Sequence, residues 1–276
     1  EGRLVKNNTI TVTKDELLAG GYWAVYPAIS ACEMIDAVEA TLYVVDHDGT
    51  VRYSNTITKS VYDYATWWIG GNEAKAATDP AAAAKLQLAV EMLEYGTAAQ
   101  KYFGYREDAY ASRSLTDSQK AFAMKEDPTP VNNNKFGETN KQQEVQYTGY
   151  TLNFEESIYS MIKIDVSKLT SGVKEDLKMV VKDKASGAEL QVIGFEEYLP
   201  ASSNVYWIPI TAITPANMQT MYTLQLFVGE TAVSTLAEYS AESYVNYILT
   251  SGKDATLVVP AMRYCVSAAN YFEVTK

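Results

Sequence analysis

The sequence has very little of the histidine and cysteine on which most catalytic and metal sites depend. His47 is the only histidine, and it lies in the run Asp46-His47-Asp48-Gly49, whose Asp-Gly pair is typical of a hairpin turn. One histidine and two cysteines do not supply an ordinary zinc site, and a catalytic triad would have to sit on a hairpin tip. We therefore expect no metal, no cofactor and no catalytic residue, in a protein that is not an enzyme.

The two cysteines, Cys32 and Cys265, are too few and too far apart for a disulfide framework. Two interpretations stay open. In the first, both are small buried thiols, which is the usual state of free cysteine. In the second, they form one long-range disulfide bond.

Basic charge is also scarce. The 23 Lys and Arg residues are outnumbered by 34 Asp and Glu residues, which gives a net charge of −11. Nucleic acids and anionic membranes attract basic surfaces, so the composition argues against both as partners. No apolar run approaches the ~18 residues of a membrane span, and no glycine-rich nucleotide motif occurs. Adjacent carboxylates such as Glu196-Glu197 would point to opposite faces of a strand, which is unlike a glycosidase pair.

What the sequence does have is an internal repeat. Three blocks recur in the same order, with differences in spacing only where loops are expected. The matching blocks are Tyr22–Ile29 with Tyr206–Ile213, Ser60–Tyr64 with Ser240–Tyr244, and Tyr95–Phe103 with Tyr264–Phe272. A polar stretch rich in Pro and Asn separates them. We predict copy A at residues 1–127, a linker at 128–140 and copy B at 141–276.

Each copy is predicted to contain strands followed by helices, an α+β fold. In copy B, alternating segments between tight turns run from residue 148 to residue 237, as in an antiparallel sheet or a β-sandwich. Copy A has far less chain before its first repeat block and lacks about four of these strands. Its sheet is expected to be smaller, or to be completed by another segment.

Capping residues predict the helices. Ser60 is a good N-cap for a helix over Val61–Ile69, and Asp79 is one for a longer helix over Pro80–Phe103. Apolar residues at three-to-four spacing give this second helix one buried face. A further helix is expected over Thr116–Glu126.

Small residues indicate how the helices pack. In copy B, Pro260 favours a helix that begins near Val259. Gly96–Ala99 and Cys265 are small enough for two helices to approach closely. We therefore expect the helices of both copies to form a central bundle, with a sheet at each end.

The motif Tyr-Gly-x-Ala-Ala-Gln-x-Tyr-Phe at 95–103, preceded by Ser60 and Tyr64, resembles a repeat module of large secreted and surface proteins of anaerobic Gram-positive gut bacteria. In copy B the motif is weaker, because Cys265 replaces Gly96. Similar modules belong to starch- or fibre-adherence systems, and others resemble immunoglobulin-binding proteins. The resemblance implies secretion or cell-surface display, with other domains in a larger polypeptide.

Aromatic residues with a polar group are abundant: 21 Tyr and 4 Trp against 7 Phe. They suit sugar rings, whose C–H faces are apolar and whose rims carry hydroxyls, and they suit protein interfaces equally. Positions shared by both copies, such as Trp23 and Trp207, are interpreted as core, so ligand contacts are expected where the copies differ. The candidate ligand-binding residues are Tyr26, Trp67, Trp68, Tyr150, Tyr198 and Asn204.

The sequence therefore predicts a non-catalytic carbohydrate-binding or adherence module. Its ligand would be a polysaccharide such as starch, bound most naturally on the sheet of copy B near Tyr198, and the chain would be monomeric and not inserted in a membrane. A protein-binding adhesin, for example one directed at immunoglobulin, and a structural spacer are the alternatives left open.

Overall fold

The fold is known from a computed structural model, which describes residues 29–154 and 157–276. This part of the chain combines helices with several antiparallel sheets, so the α+β class is confirmed. The predicted strand that contains Trp23 and Tyr26 lies outside the described residues.

A long β-hairpin follows the short 3-10 turn Ala31–Glu33 near the start of the described chain. Its strands are β1 (Val38–Ala40), β2 (Tyr43–Val45), β3 (Val51–Tyr53) and β4 (Ile57–Lys59). β1 pairs with β4 and β2 with β3, both antiparallel. The turn at Asp46–Gly49 places Gly49 at a φ of 82°, and the Asp48 carboxylate accepts a hydrogen bond from Thr50 N at 3.0 Å. The predicted hairpin tip is confirmed.

Both faces of this hairpin are exposed. Among the described residues, no further strand pairs with either of its edges. Seven of its large apolar side chains are each at least 43% exposed, and they are Leu42, Tyr43, Val44, Val45, Val51, Tyr53 and Ile57. Within residues 29–127 the sheet is limited to this hairpin.

The first helix, α1 (Val61–Asn72), begins where the sequence predicts. Ser60 Oγ accepts a hydrogen bond from Asp63 N at 3.0 Å, and the Asp63 carboxylate accepts one from Ser60 N at 2.9 Å. This reciprocal cap satisfies two of the N–H groups that a helix start leaves free. The helix runs past the predicted end at Ile69.

The long helix, α2 (Pro80–Phe103), has both predicted ends. The Asp79 carboxylate accepts a hydrogen bond from Ala81 N at 2.9 Å, and Pro at the first helical position loses no bond there. Gly104 ends the helix at a φ of 63°, a left-handed conformation that favours glycine.

The helix predicted over Thr116–Glu126 is wrong in extent, because α3 covers only Asp117–Lys120. After α3, the backbone of Met124 is bound by other elements: its N–H donates to the Glu91 carboxylate at 2.6 Å, and its carbonyl accepts from the Arg263 guanidinium. Backbone groups committed to these tertiary bonds do not continue a helix.

The rest of the chain forms two antiparallel sheets and two helices. The strands in chain order are β5 (Gln146–Asn153), β6 (Tyr159–Asp165), β7 (Leu177–Asp183), β8 (Glu189–Gly194), β9 (Leu199–Ser202), β10 (Val205–Ile210), β11 (Tyr222–Val228), β12 (Thr231–Ala232) and β13 (Ala237–Tyr239). One sheet has the order β5-β6-β10-β9 and the other β12-β11-β7-β8, with β13 also paired to β11. The helices are α4 (Glu242–Thr250) and α5 (Val258–Val274).

These two sheets contribute to one buried cluster. Alternate residues of each strand point inward, so Ile162 and Ile164 of β6 join Met179 of β7 in that cluster, all with no exposed surface. The Tyr147 hydroxyl of the first sheet donates to the Leu224 carbonyl of the second at 3.0 Å. The bond satisfies a buried hydroxyl and ties the sheets together.

Part of the predicted linker follows the edge of the second sheet. Lys135 and Glu238 exchange two main-chain hydrogen bonds of 2.8 Å, as strand neighbours do. Asn133 N donates to Ser243 Oγ at 2.9 Å, and Thr235 Oγ1 donates to the Phe136 carbonyl at 2.7 Å. The segment is therefore attached to the sheet.

Helices α2 and α5 pack against each other, as predicted. The rings of Tyr95 and Tyr264 stack with centroids 5.7 Å apart and an interplanar angle of 11°. Cys265 and Ala268 are buried on α5. Both cysteines are free thiols, and burial raises the pKa of Cys265. Cys32 is half-buried, with its Sγ 3.2 Å from Ser30 Oγ.

Gly96 has different nearest neighbours from those predicted. A Cβ atom at this position would lie 2.7 Å from Met34 Sδ, 3.1 Å from Ala111 Cβ and 3.3 Å from the Ala31 carbonyl oxygen. The glycine therefore makes room for the 3-10 turn Ala31–Glu33 rather than for α5.

Replacing Gly96 with leucine is expected to lower the free energy of unfolding by about 1–3 kcal/mol, because the side chain would overpack this site. The matched control is Gly70→Leu, since Gly70 lies in α1 and a Cβ atom there would meet no atom within 4 Å apart from its chain neighbours and the adjacent helix backbone. The control should keep or raise stability, by about 0.8 kcal/mol, because leucine is the better helix former. Urea unfolding of both variants measures the difference, and equal midpoints would contradict the packing described.

Candidate functional site

Five aromatic side chains from two helices lie together at one end of the helical layer. Tyr64, Trp67 and Trp68 come from α1, and Tyr271 and Phe272 come from the last turns of α5. We call this set the aromatic platform.

The rings of the aromatic platform form a continuous chain of contacts. Tyr64 lies 5.0 Å from Trp68 and 5.9 Å from Trp67, measured between ring centroids. Trp68 lies 5.9 Å from Tyr271, which lies 5.4 Å from Phe272. These separations are within the range of favourable aromatic pairs, so each ring supports its neighbour.

The platform is open to solvent. Trp67 is 70% exposed, Phe272 is 54% exposed and Tyr64 is 52% exposed. Lys85 of α2 places its Nζ 4.3 Å from the centroid of the Trp68 ring. An ammonium at this distance is attracted to the ring and supplies hydrogen-bond donors at the border of the platform.

The other face of α1 fixes the platform in place. Ala65 and Ile69 are buried, and they belong to a cluster that includes Leu86 and Leu93 of α2. Residues three or four apart on a helix lie on one face, so burial of 65 and 69 turns 64 and 67 outward. The exposed rings therefore stand on a packed scaffold rather than on a loop.

The structure brings together two of the six predicted ligand-binding residues, Trp67 and Trp68. Asn204 is exposed in the turn between β9 and β10. Tyr150 is half-buried on β5, where it packs against Phe136 with centroids 5.8 Å apart. Tyr26 lies outside the described residues.

Tyr198 does not offer a free ring. It is only 6% exposed and belongs to the buried cluster between the sheets, where its ring lies 5.3 Å from that of Phe195. Burial raises the pKa of its hydroxyl. Its position just before β9 turns it inward, and the sequence alone does not reveal which way a residue at a strand end points.

Sequence reasoning missed Tyr64 and Phe272 as surface residues. Each has an aromatic counterpart in the predicted repeat, Tyr244 and Phe103, and such counterparts are predicted to be core. The signal that identifies them is the helical spacing of aromatics at 64, 67 and 68 opposite the small residue Ala65.

A groove of about 740 Å³ runs beside α2 and α5, and its buried charges are already paired. The Glu91 carboxylate is 1% exposed, accepts the Met124 N–H, and lies 3.5 Å from Arg263 Nε. Burial raises the pKa of Glu91. Arg263 also lies 3.4 Å from Asp127. These groups hold the chain after α3 in place, so their charges stabilise the fold.

Comparison with models of known protein families, with curated proteins and with solved structures gave no match. In residues 29–154 and 157–276, no three metal-ligating side chains come together. The helices of this part of the chain are all too short or too polar to cross a membrane. The case for function therefore depends on the exposed surfaces themselves.

Replacing Arg263 with alanine is expected to lower the free energy of unfolding by about 3 kcal/mol, because it leaves the Glu91 carboxylate buried without its cation. The control is Arg52→Ala, since Arg52 pairs with Asp46 at 2.7 Å on the exposed hairpin. That change should stay within about 1 kcal/mol, as for other surface pairs. Thermal and urea unfolding measure both, and a neutral Arg263→Ala would contradict the structural role.

Proposed function

We propose that the chain is a non-catalytic carbohydrate-binding module and that the aromatic platform is its binding surface. The observation that carries the proposal is the 70% exposure of Trp67 within a set of five contacting rings on a packed helix. Large exposed aromatic patches are uncommon on monomers and mark interaction sites.

The chemistry of the platform favours sugar rings. The faces of Trp67 and Tyr64 are flat and apolar, and they match the C–H faces of pyranose rings. The Tyr64 and Tyr271 hydroxyls and the Lys85 ammonium are polar groups suited to sugar hydroxyls. A neutral polysaccharide such as starch is not repelled by a chain of net charge −11, whereas an acidic polymer is.

We further infer that the chain comprises two diverged copies of one unit, each a sheet followed by helices, with copy B built as a β-sandwich. Tyr95 and Tyr264 are equivalent positions of the repeat, and their rings stack on each other. Contact between a residue and its own equivalent is what a two-fold relation between copies produces. Secretion or surface display within a larger polypeptide is proposed on the resemblance of the 95–103 motif.

The exposed hairpin supports a second candidate function, that of a protein-binding adhesin. Its edges are unpaired among the described strands, and an added strand from a partner would satisfy them. Purified immunoglobulin tested by biolayer interferometry separates this function from carbohydrate binding. If the hairpin binds immunoglobulin, Val44→Lys should abolish that binding, because it places a charge on the apolar hairpin. The same variant should leave carbohydrate binding intact.

Replacing Trp67 with alanine is expected to weaken binding to polysaccharide by about tenfold or more, because a central aromatic contact contributes at least about 1.4 kcal/mol. Affinity electrophoresis through gels that contain amylopectin, xylan, glucomannan or mucin measures the effect. The control is Tyr53→Ala, since Tyr53 is 71% exposed on the hairpin and its ring packs against that of Tyr43, which is not part of the platform.

The control should be retarded like the unaltered chain. Absence of retardation of the unaltered chain in all four gels would overturn the proposed function. Equal loss in Trp67→Ala and Tyr53→Ala would show that the platform is not the site.

A further inference from the structure

A second group of aromatic rings lines a cleft at the other end of α2. The cleft has a volume of about 360 Å³ and lies between the end of α2, the end of β5 and the turn from α4 to α5. Its lining includes Tyr102, Phe103, Phe154, Tyr244, Lys253 and Asp254. We call it the Tyr102 cleft.

The Tyr102 cleft is built like the aromatic platform with the two copies exchanged. At the platform, Tyr271 of α5 contacts Trp68 of α1. At the cleft, Tyr102 of α2, the equivalent of Tyr271, lines the same cavity as Tyr244 of α4, the equivalent of Tyr64. Each long helix therefore carries its Tyr-Phe pair to the shorter helix of the other copy.

The side-chain chemistry of the two sites is also parallel. Tyr102 is 51% exposed and Phe103 47%, and their rings meet edge to face with centroids 5.1 Å apart. Lys253 Nζ lies 4.6 Å from the ring centroid of Tyr247, the equivalent of Trp67, much as Lys85 lies over Trp68. Both sites thus combine exposed rings with an ammonium.

The cleft adds an oriented carboxylate. Asp254 accepts hydrogen bonds from Thr256 N at 2.9 Å and from Thr256 Oγ1 at 2.7 Å, which fix its position at the rim. A fixed carboxylate accepts hydrogen bonds from sugar hydroxyls, and the neighbouring Lys253 donates to them. Flat rings beside a fixed acceptor and a donor are the groups that a neutral sugar unit requires.

We propose that the Tyr102 cleft is a second carbohydrate-binding site, so that one chain binds a polysaccharide at two points. The inference rests on the proposed function of the aromatic platform. Lys85 and Tyr102 lie on the same helix, 17 residues and therefore about 25 Å apart along its axis. Two linked sites at such a separation bind a long polymer more tightly than a short oligosaccharide, because the second contact is intramolecular.

The test compares the unaltered chain with Trp67→Ala, Tyr102→Ala and the double variant. Affinity electrophoresis measures binding to amylopectin, xylan and glucomannan, and isothermal titration calorimetry measures stoichiometry with short oligosaccharides of the polymer that binds. We expect two oligosaccharides per chain, one per chain in each single variant and none in the double variant. The affinity for the polymer, measured from the retardation, should fall about tenfold or more in each single variant, because avidity is lost.

Asp254→Asn is the second variant, which keeps the shape of the cleft and removes its negative charge, and it should weaken binding at this site alone. A stoichiometry of one for the unaltered chain, lost in Trp67→Ala and unchanged in Tyr102→Ala and Asp254→Asn, would overturn the second site and leave the proposed function standing. An unaltered chain that binds none of the polymers would overturn both. Circular dichroism confirms that each variant is folded.

Discussion

The packing of α2 against α5 is the interaction on which the rest of the molecule depends. Tyr95 stacks on Tyr264 at its centre, and the small buried residues Cys265 and Ala268 let the helices lie close together. Because α5 comes from the far end of the sequence, this contact joins the hairpin region to the two large sheets. It also places Tyr271 beside α1, so the aromatic platform exists only when α2 and α5 are packed together.

A buried polar contact secures the same junction from the side. Glu91 on α2 and Arg263 on α5 lie 3.5 Å apart, and both bind the backbone of Met124, Glu91 at its N–H and Arg263 at its carbonyl. Such a pair stabilises little relative to an apolar contact of the same size, but it is intolerant of change because each charge needs the other. The contact fixes α2, α5 and the chain at Met124 in one relative position. Hydrophobic packing alone determines such a position less uniquely.

Local chemistry explains how much of this fold the sequence predicts. Asp79, Pro80 and Gly104 mark the ends of α2 by hydrogen bonds within a few residues, and these ends are predictable. The early end of α3 is not, because Met124 bonds to residues 33 and 139 positions away in the sequence. Prediction is reliable for interactions between neighbours and fails where distant side chains compete for the same backbone.

The aromatic platform, like the fold, is predictable from the sequence only in part. Trp67 and Trp68 are identified as candidates because they differ from the residues aligned with them, whereas Tyr64 and Phe272 are missed because an aligned position is not always buried. Tyr198 is placed by tertiary packing, in a cluster that its neighbours in sequence do not define. An aligned position in the predicted repeat therefore does not by itself separate surface residues from core residues.

The long separation between the two central helices has a consequence for synthesis of the chain. Phe103, the end of α2, precedes Val258, the start of α5, by 155 residues. At 5–20 residues per second a ribosome needs on the order of ten seconds to cover that distance. The buried residues of the cluster of α1 with α2 lie between 65 and 115, with Phe122 and Ala123 packed against them, so the cluster needs no chain beyond residue 123. The face with Tyr95 and Ala99 must wait for α5. During that interval the nascent chain presents an apolar helix face to solvent, and this is the face on which a folding chaperone would act.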